Sequence, residues 1–259
     1  MLNFSLCGEG DQFLAFLHGI SGSSIWWADT IRSLQADFRI AALDSLGHGL
    51  SPRLTDEDTK DVFGASYQAA LTTLKPLIAK FGPALLVAHS MGGAIASYIA
   101  WKHPELVRGL VLAEPAWLDD EQRQLFLDSV PDSRVRTQEW AENIEGAIHE
   151  NQAKRPHWTQ NQHITWAYGQ ENIDPRMIAG VVSFAEPWQD VVGGLTVPTT
   201  VVTSDGADCL LGPSRAAEIR ELGNPNVKVA FFEGGSHATV PDNPAFFETQ
   251  VRNMADTLK

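Results

Sequence analysis

The sequence predicts an α/β protein with a mostly parallel central sheet flanked by helices on both faces. Two observations carry this. Six short apolar runs, at 13–19, 38–45, 84–90, 106–115, 198–205 and 227–234, alternate with helical patterns at 24–35, 64–81, 91–102, 213–222 and 244–258. Alternating strand and helix imply parallel strands joined by helical crossovers. Within the runs, as in ALLVAHS, apolar residues are nearly continuous rather than alternating, the pattern of strands buried on both faces.

In chain order, FLAFLHG is the first strand and runs into the glycine-rich HGISGSS, which opens a helix. FRIAALDS follows and leads into DSLGHGLS. The next helix, 64–81, contains Pro76 and is expected to kink there. ALLVAHS passes directly into a helix through SMGG, and LVRGLVLAEP is the strand after it. From Trp117 to about Asp190 the rhythm breaks. That stretch shows no clear strand, is rich in Glu, Gln and Asn, and holds Trp117, Trp140, Trp158, Trp166 and Trp188. It reads as a helical cap, residues 117–190, inserted into a core made of 1–116 and 191–259. The strands PTTVVTSD and VKVAFFEG and a last helix complete the core.

At 259 residues with 44% hydrophobic and 20% charged, one large core is expected rather than several independent domains. The net charge of −13 repels phosphate backbones and anionic headgroups, so neither nucleic acid nor membrane is expected as a partner, and a polyanionic substrate is disfavoured. Two cysteines, Cys7 and Cys209, exclude a disulfide framework and fit a reducing compartment. No basic residue precedes the first apolar stretch, so no secretory signal is read and a cytoplasmic location is expected. No metal-ligand cluster, H-E-x-x-H or strand-borne G-x-G-x-x-G occurs, so no metal or cofactor is expected.

In AHSMGG, Ser90 falls where a buried strand meets a helix. A sharp turn there lifts the hydroxyl clear of the sheet and demands small residues behind it, which Gly92 and Gly93 supply. Ahead of the serine, where glycine is usual in G-x-S-x-G, stands Ala88. The plainer alternative is a serine N-cap. With FLHGISGSS, DSLGHGLS, AHSMGG and GGSHATVPDNPAFF in this order, the chain resembles the α/β-hydrolase superfamily over nearly its whole length outside the insertion.

That resemblance implies an α/β-hydrolase fold with Ser90 as nucleophile. It implies an oxyanion hole from the N–H groups of Met91 and Ile20, and His237 as base, since His237 follows EGGS after the last strand. His18 reads as a packing residue. His89 adjoins Ser90 but, as a strand neighbour, faces the other way. Asp44, Gly47, Gly49 and Ser51 read as fixing a loop beside the site. The acid stays open. In the usual loop, TSDGADCLLG, the expected position holds Ala207, with Asp205 and Asp208 nearby. In some members, such as haloalkane dehalogenases and zearalenone-type lactonases, the acid follows the next strand after the nucleophile, where this chain has Glu114. Glu114 is the first choice and the Asp205/Asp208 pair the alternative.

The expected activity is serine hydrolysis of an ester or lactone of a hydrophobic, even aromatic, small molecule, with Trp117 and Trp188 at the hinges contacting substrate. Carbon–carbon bond hydrolysis and metal-free haloperoxidase (perhydrolase) chemistry are alternatives on the same triad. Dehalogenation is disfavoured because it needs a carboxylate at position 90. A non-catalytic small-molecule receptor is the alternative of another class.

Overall fold

The computed structural model describes residues 1–259. Seven strands form one sheet: β1 (Phe4–Cys7), β2 (Phe13–Leu17), β3 (Arg39–Leu43), β4 (Ala84–His89), β5 (Val107–Ala113), β6 (Thr199–Thr203) and β7 (Val227–Phe231). Their order is β1-β3-β2-β4-β5-β6-β7, with β1 antiparallel to β3 and all other pairs parallel. Six of these strands are the ones the apolar runs predict. The seventh, β1, is a four-residue edge strand whose middle two residues are exposed, so it carries no core pattern to read.

The helices are α1 (Ala28–Leu34, after a 3-10 turn at Ser24–Trp27), α2 (Val62–Phe81), α3 (Met91–Lys102), α4 (Asp120–Glu142), α5 (Ile144–Lys154), α6 (Gln160–Glu171), α7 (Pro175–Ile178), α8 (Trp188–Gly193), α9 (Gly212–Glu221), α10 (Thr239–Asp242) and α11 (Pro244–Thr257). α2 runs through Pro76 as one element of 20 residues. No helix is long and apolar enough to cross a membrane.

Burial along the strands explains the continuous apolar runs. In β4, Leu86 and Ala88 point into one apolar cluster, shared with α2 and α3. Leu85 and Val87 point into the other, with Trp27, Leu34, Phe247 and Val251 from the first helical turn, α1 and α11. The side-chain period of two is intact, but both of its phases are buried.

Between β5 and β6 the chain carries α4–α8 and no strand. Capping boxes start α4 (Asp119 with Gln122) and α6 (Thr159 with Gln162), which accounts for two of its helix starts. α6 packs on α4, α5, α1 and the turn before it.

The sheet topology sets the location of the site. β3 follows β2 in sequence but lies on one side of it, while β4 lies on the other. Such a reversal opens a crevice at the carboxyl ends of the strands. Here β2 runs out into His18–Gly19–Ile20, and β4 into Ser90.

The turn from β4 into α3 leaves no room behind Ser90. A Cβ on Gly92 would stand 2.4 Å from the Leu17 carbonyl oxygen, and one on Gly93 would stand 2.8 Å from the Pro115 Cβ. Gly92→Ala is therefore expected to lower stability by about 1–3 kcal/mol, read as a drop in the urea midpoint at constant slope. An unshifted midpoint would contradict the close packing of this turn.

Candidate active site

Ser90 sits at φ 50° and ψ −118°, a conformation that costs a non-glycine residue about 1–3 kcal/mol. It occupies the cap position of α3, yet its side chain makes no capping hydrogen bond. Its hydroxyl instead lies 3.0 Å from His237 Nε2. The backbone on either side is pinned. The Ser90 N–H donates to the Ala113 carbonyl, and its own carbonyl accepts from the N–H groups of Ala94 and Ala116, each at 3.0 Å.

His237 Nδ1 lies 3.3 Å from Glu114 Oε2. An ionised carboxylate only accepts, so Nδ1 carries the proton and Nε2 is left to accept from the Ser90 hydroxyl. Glu114 is fully buried at the tip of β5, with φ 44°. Oε1 accepts from the Thr203 hydroxyl. Oε2 also accepts from the Leu210 N–H at 2.5 Å and the Leu211 N–H at 3.4 Å. These donors replace the water that a buried carboxylate would otherwise lack.

The two other carboxylates left open by the sequence make no contact with the imidazole ring within hydrogen-bond distance. Asp205 accepts from the Gly234 N–H at 2.7 Å and the Ser204 hydroxyl at 3.3 Å. Asp208 accepts from the His237 N–H at 3.0 Å. They brace the loop that carries the histidine, while Glu114 meets its ring.

Met91 is the first residue of α3, one of the positions whose amide has no partner inside the helix. Gly19 packs so close to the serine that a Cβ there would lie 3.0 Å from the Ser90 Cβ and 2.7 Å from His89 Nδ1. The following residue, Ile20, lines the cleft beside Ser90. His18 is a buried strut, as expected. Its Nδ1 donates to the Gly19 carbonyl at 2.7 Å and its Nε2 accepts from the Ser45 N–H at 2.9 Å. Asp44 holds the DSLGHGLS loop by accepting from the N–H groups of Ser24 at 2.7 Å and Leu50 at 3.0 Å. Burial alone would raise its pKa, but these bonds and that from Asn3 outweigh it and hold the carboxyl below its usual range.

His89 does more than face away. Its ring stacks on Trp26 with centroids 4.7 Å apart, and its Nε2 donates to the His237 carbonyl at 3.0 Å. Burial, with the neighbouring His237 ring adding to it, pushes its pKa down to about 3, so it stays neutral. Its position directly ahead of Ser90 is the one sequence signal for this role.

Two lobes meet at the serine. One, of about 170 Å³, has Trp26, Trp158, Trp166 and Arg155 in its walls. The other, of about 470 Å³, is lined by Leu118, Leu125, Phe126, Val182 and Leu210. Ile20, Ser90, Asp208 and His237 border both.

Trp117 and Trp188, expected to contact substrate, line neither lobe. Trp117 is buried in the core and donates its indole N–H to the Ser97 hydroxyl at 2.9 Å. Trp188 is buried under the Arg215 guanidinium, 4.6 Å from its ring centroid. Removing such a side chain from a core costs about 3–5 kcal/mol, so both serve as anchors at the ends of the insertion.

The model of the alpha/beta hydrolase fold family matches residues 13–244, and the chain belongs to that family. An uncharacterized protein of Mycobacterium bovis is 30% identical, with 99% of this chain and 78% of that protein covered. The pimeloyl-[acyl-carrier protein] methyl ester esterase of Yersinia enterocolitica is 36% identical over 112 residues, 42% of this chain. The match spans only 39% of that esterase. Among solved structures, E-2-(acetamidomethylene)succinate hydrolase superposes with a TM-score of 0.80 at 20% identity, covering 98% of this chain and 95% of that one, a likeness of fold.

Four buried histidines make stability depend on pH. Burial lowers the pKa of His18 and His163, and takes His48 and His89 down to about 3. In the unfolded chain each titrates near 6.5. Between pH 6.5 and about 4 the unfolded state therefore binds protons that the folded state refuses, and stability falls as pH falls. Each histidine contributes at most about 1.4 kcal/mol per pH unit. Urea midpoints taken from pH 7.5 to 4.5 should decline through this window, and His89→Gln should flatten the decline. A flat wild-type profile would contradict neutral burial.

Proposed function

We propose that the protein is a serine hydrolase that cleaves a carboxylic ester or lactone of an apolar small molecule through an acyl-enzyme. The alignment of Ser90 Oγ, His237 and Glu114, at 3.0 Å and 3.3 Å, carries this reading. A serine hydroxyl is a weak nucleophile at neutral pH and needs a base within hydrogen-bond reach. As Ser90 Oγ attacks the carbonyl carbon, its proton passes to His237 Nε2. The imidazolium is stabilised by the Glu114 carboxylate, which also fixes the tautomer. Charge develops on the carbonyl oxygen, and the N–H groups of Ile20 and Met91 receive it. His237 then returns the proton to the leaving alkoxide. In the second half it takes a proton from the water that attacks the acyl-enzyme and returns it to Ser90 Oγ as the acyl–oxygen bond breaks.

The lobe lined by leucines and Phe126 supports an apolar group on one side of the scissile bond. A pocket that only binds has no use for a strained serine aligned on a histidine, which weighs against the receptor reading. Carbon–carbon hydrolysis and transfer to peroxide use the same residues. Ester hydrolysis is preferred because its alkoxide leaving group takes a proton from His237 directly, whereas peroxide transfer needs a second reactant and carbon–carbon hydrolysis must expel a carbanion.

A panel of p-nitrophenyl esters and aromatic lactones tests this. Ser90→Ala should lower kcat at least about 10³-fold, and Glu114→Gln about 10³–10⁴-fold. Asp205→Asn and Asp208→Asn, with the fold checked by circular dichroism, should each lose no more than about tenfold. Near-normal rates in Glu114→Gln, or turnover surviving in Ser90→Ala, would overturn the assignment.

A further inference from the structure

Arg155 is the only lysine or arginine in the walls of either lobe, in a chain of net charge −13. It stands just after α5, where a cation ordinarily serves the helix end in solvent. Here the side chain is three-quarters buried and held in a built frame. One terminal nitrogen donates to Asn151 Oδ1 at 2.8 Å. Asn151 is itself buried and fixed by a bond between its amide nitrogen and His163 Nδ1 at 2.9 Å. The guanidinium lies 5.0 Å from the Trp158 ring centroid, and that ring stacks on His163.

The frame leaves the cation short of acceptors. A guanidinium has five N–H donors. Nε is buried with no partner, and the second terminal nitrogen makes a long ion pair with the half-exposed Asp208, 3.9 Å from its Oδ2 and too far to be hydrogen-bonded. The other Asp208 oxygen is engaged by the His237 N–H. A cation this far out of water, with one close neutral acceptor, one carboxylate at ion-pair range and an unused Nε, has donors left for a second, closer anion.

We infer that Arg155 is the binding site for a carboxylate of the substrate, so that the enzyme selects a monoanionic ester. Its carboxylate enters the Arg155 lobe, and its apolar group enters the lobe of Leu118, Leu125 and Phe126. This deepens, and as to turnover rests on, the serine hydrolase reading. The serine, histidine and Ile20 lie where the lobes meet, so the scissile carbonyl sits between the two groups. Trp26, Trp158 and Trp166 enclose the chain leading to the carboxylate.

The test has two parts. In the first, monobutyl glutarate carries a carboxylate on the acyl side and 4-(pentanoyloxy)butanoate carries one on the alcohol side. Butyl pentanoate is the neutral match for both. One of the two anions should exceed the neutral ester in kcat/KM by about 10- to 100-fold, and Arg155→Gln should abolish that ratio. Arg155→Lys should keep part of it. The proposal fails if neither anion is preferred, or if the preference survives in Arg155→Gln.

The second part is independent of turnover. Octanoate and octanamide are titrated against tryptophan fluorescence in the full chain and in Ser90→Ala, since three tryptophans line the lobe. Octanoate should bind at least about tenfold tighter than octanamide, and the gap should close in Arg155→Gln. Equal affinities in the wild type would overturn the site even if esters are hydrolysed. A carboxylate preference without turnover would retain the site and reject the hydrolase.

Discussion

Two backbone hydrogen bonds lock the turn at Ser90 to the turn at Glu114, and the geometry of the site follows from them. The Ser90 N–H donates to Ala113, and the Ala116 N–H donates back to Ser90, each at 3.0 Å. The bonds bracket Glu114, so the serine and the carboxylate are placed relative to one another by the ends of β4 and β5. In the whole chain three non-glycine residues have positive φ: Ser21 at 58°, Ser90 at 50° and Glu114 at 44°. All three lie in the turns that build the site. At about 1–3 kcal/mol each, their strain is a sizeable part of a domain's net stability of about 5–15 kcal/mol. The doubly buried sheet beneath them is what keeps those turns in place.

The histidine arrives on a loop and depends on different restraints. Its N–H is held by Asp208 and its carbonyl by His89. One residue earlier, both the N–H and the hydroxyl of Ser236 donate to Asp242 at 2.6 Å. Asp242 also accepts from the indole of Trp158 at 2.7 Å and from His157 at 3.0 Å, both in the inserted segment. The loop that presents the imidazole is therefore tied to the chain that walls the cleft. Burial would raise the Asp242 pKa, but the bonds from Ser236, Trp158 and His157 outweigh that and keep it ionised.

The parts of this arrangement legible in the sequence are those with local causes. Continuous apolar runs reveal two-sided burial, and the small residues after Ser90 reveal a tight turn. The glycines before His237 mark the loop after a last strand. β1 escapes because four residues at a sheet edge carry no pattern. Spacing alone does not separate Glu114, the first choice, from Asp205 and Asp208, because all three stand close to the loop that carries His237. Separation along the chain does not tell which oxygen meets the ring and which meets the backbone. Tryptophans mislead for a related reason: an indole suits a core as well as a pocket. Trp117 and Trp188 anchor, while Trp26, Trp158 and Trp166 enclose the cleft. Arg155 looks in sequence like a solvated helix end, and only the fold shows it beside the serine.

The central claim is that His237 makes the Ser90 hydroxyl a nucleophile. It is tested most directly by treating the protein with a fluorophosphonate and locating the adduct by peptide mass spectrometry. The account predicts one phosphonyl group per chain, on the peptide containing Ser90, and a far slower reaction in His237→Ala. Labelling elsewhere, or labelling of Ser90 at the same rate without the imidazole, would contradict it.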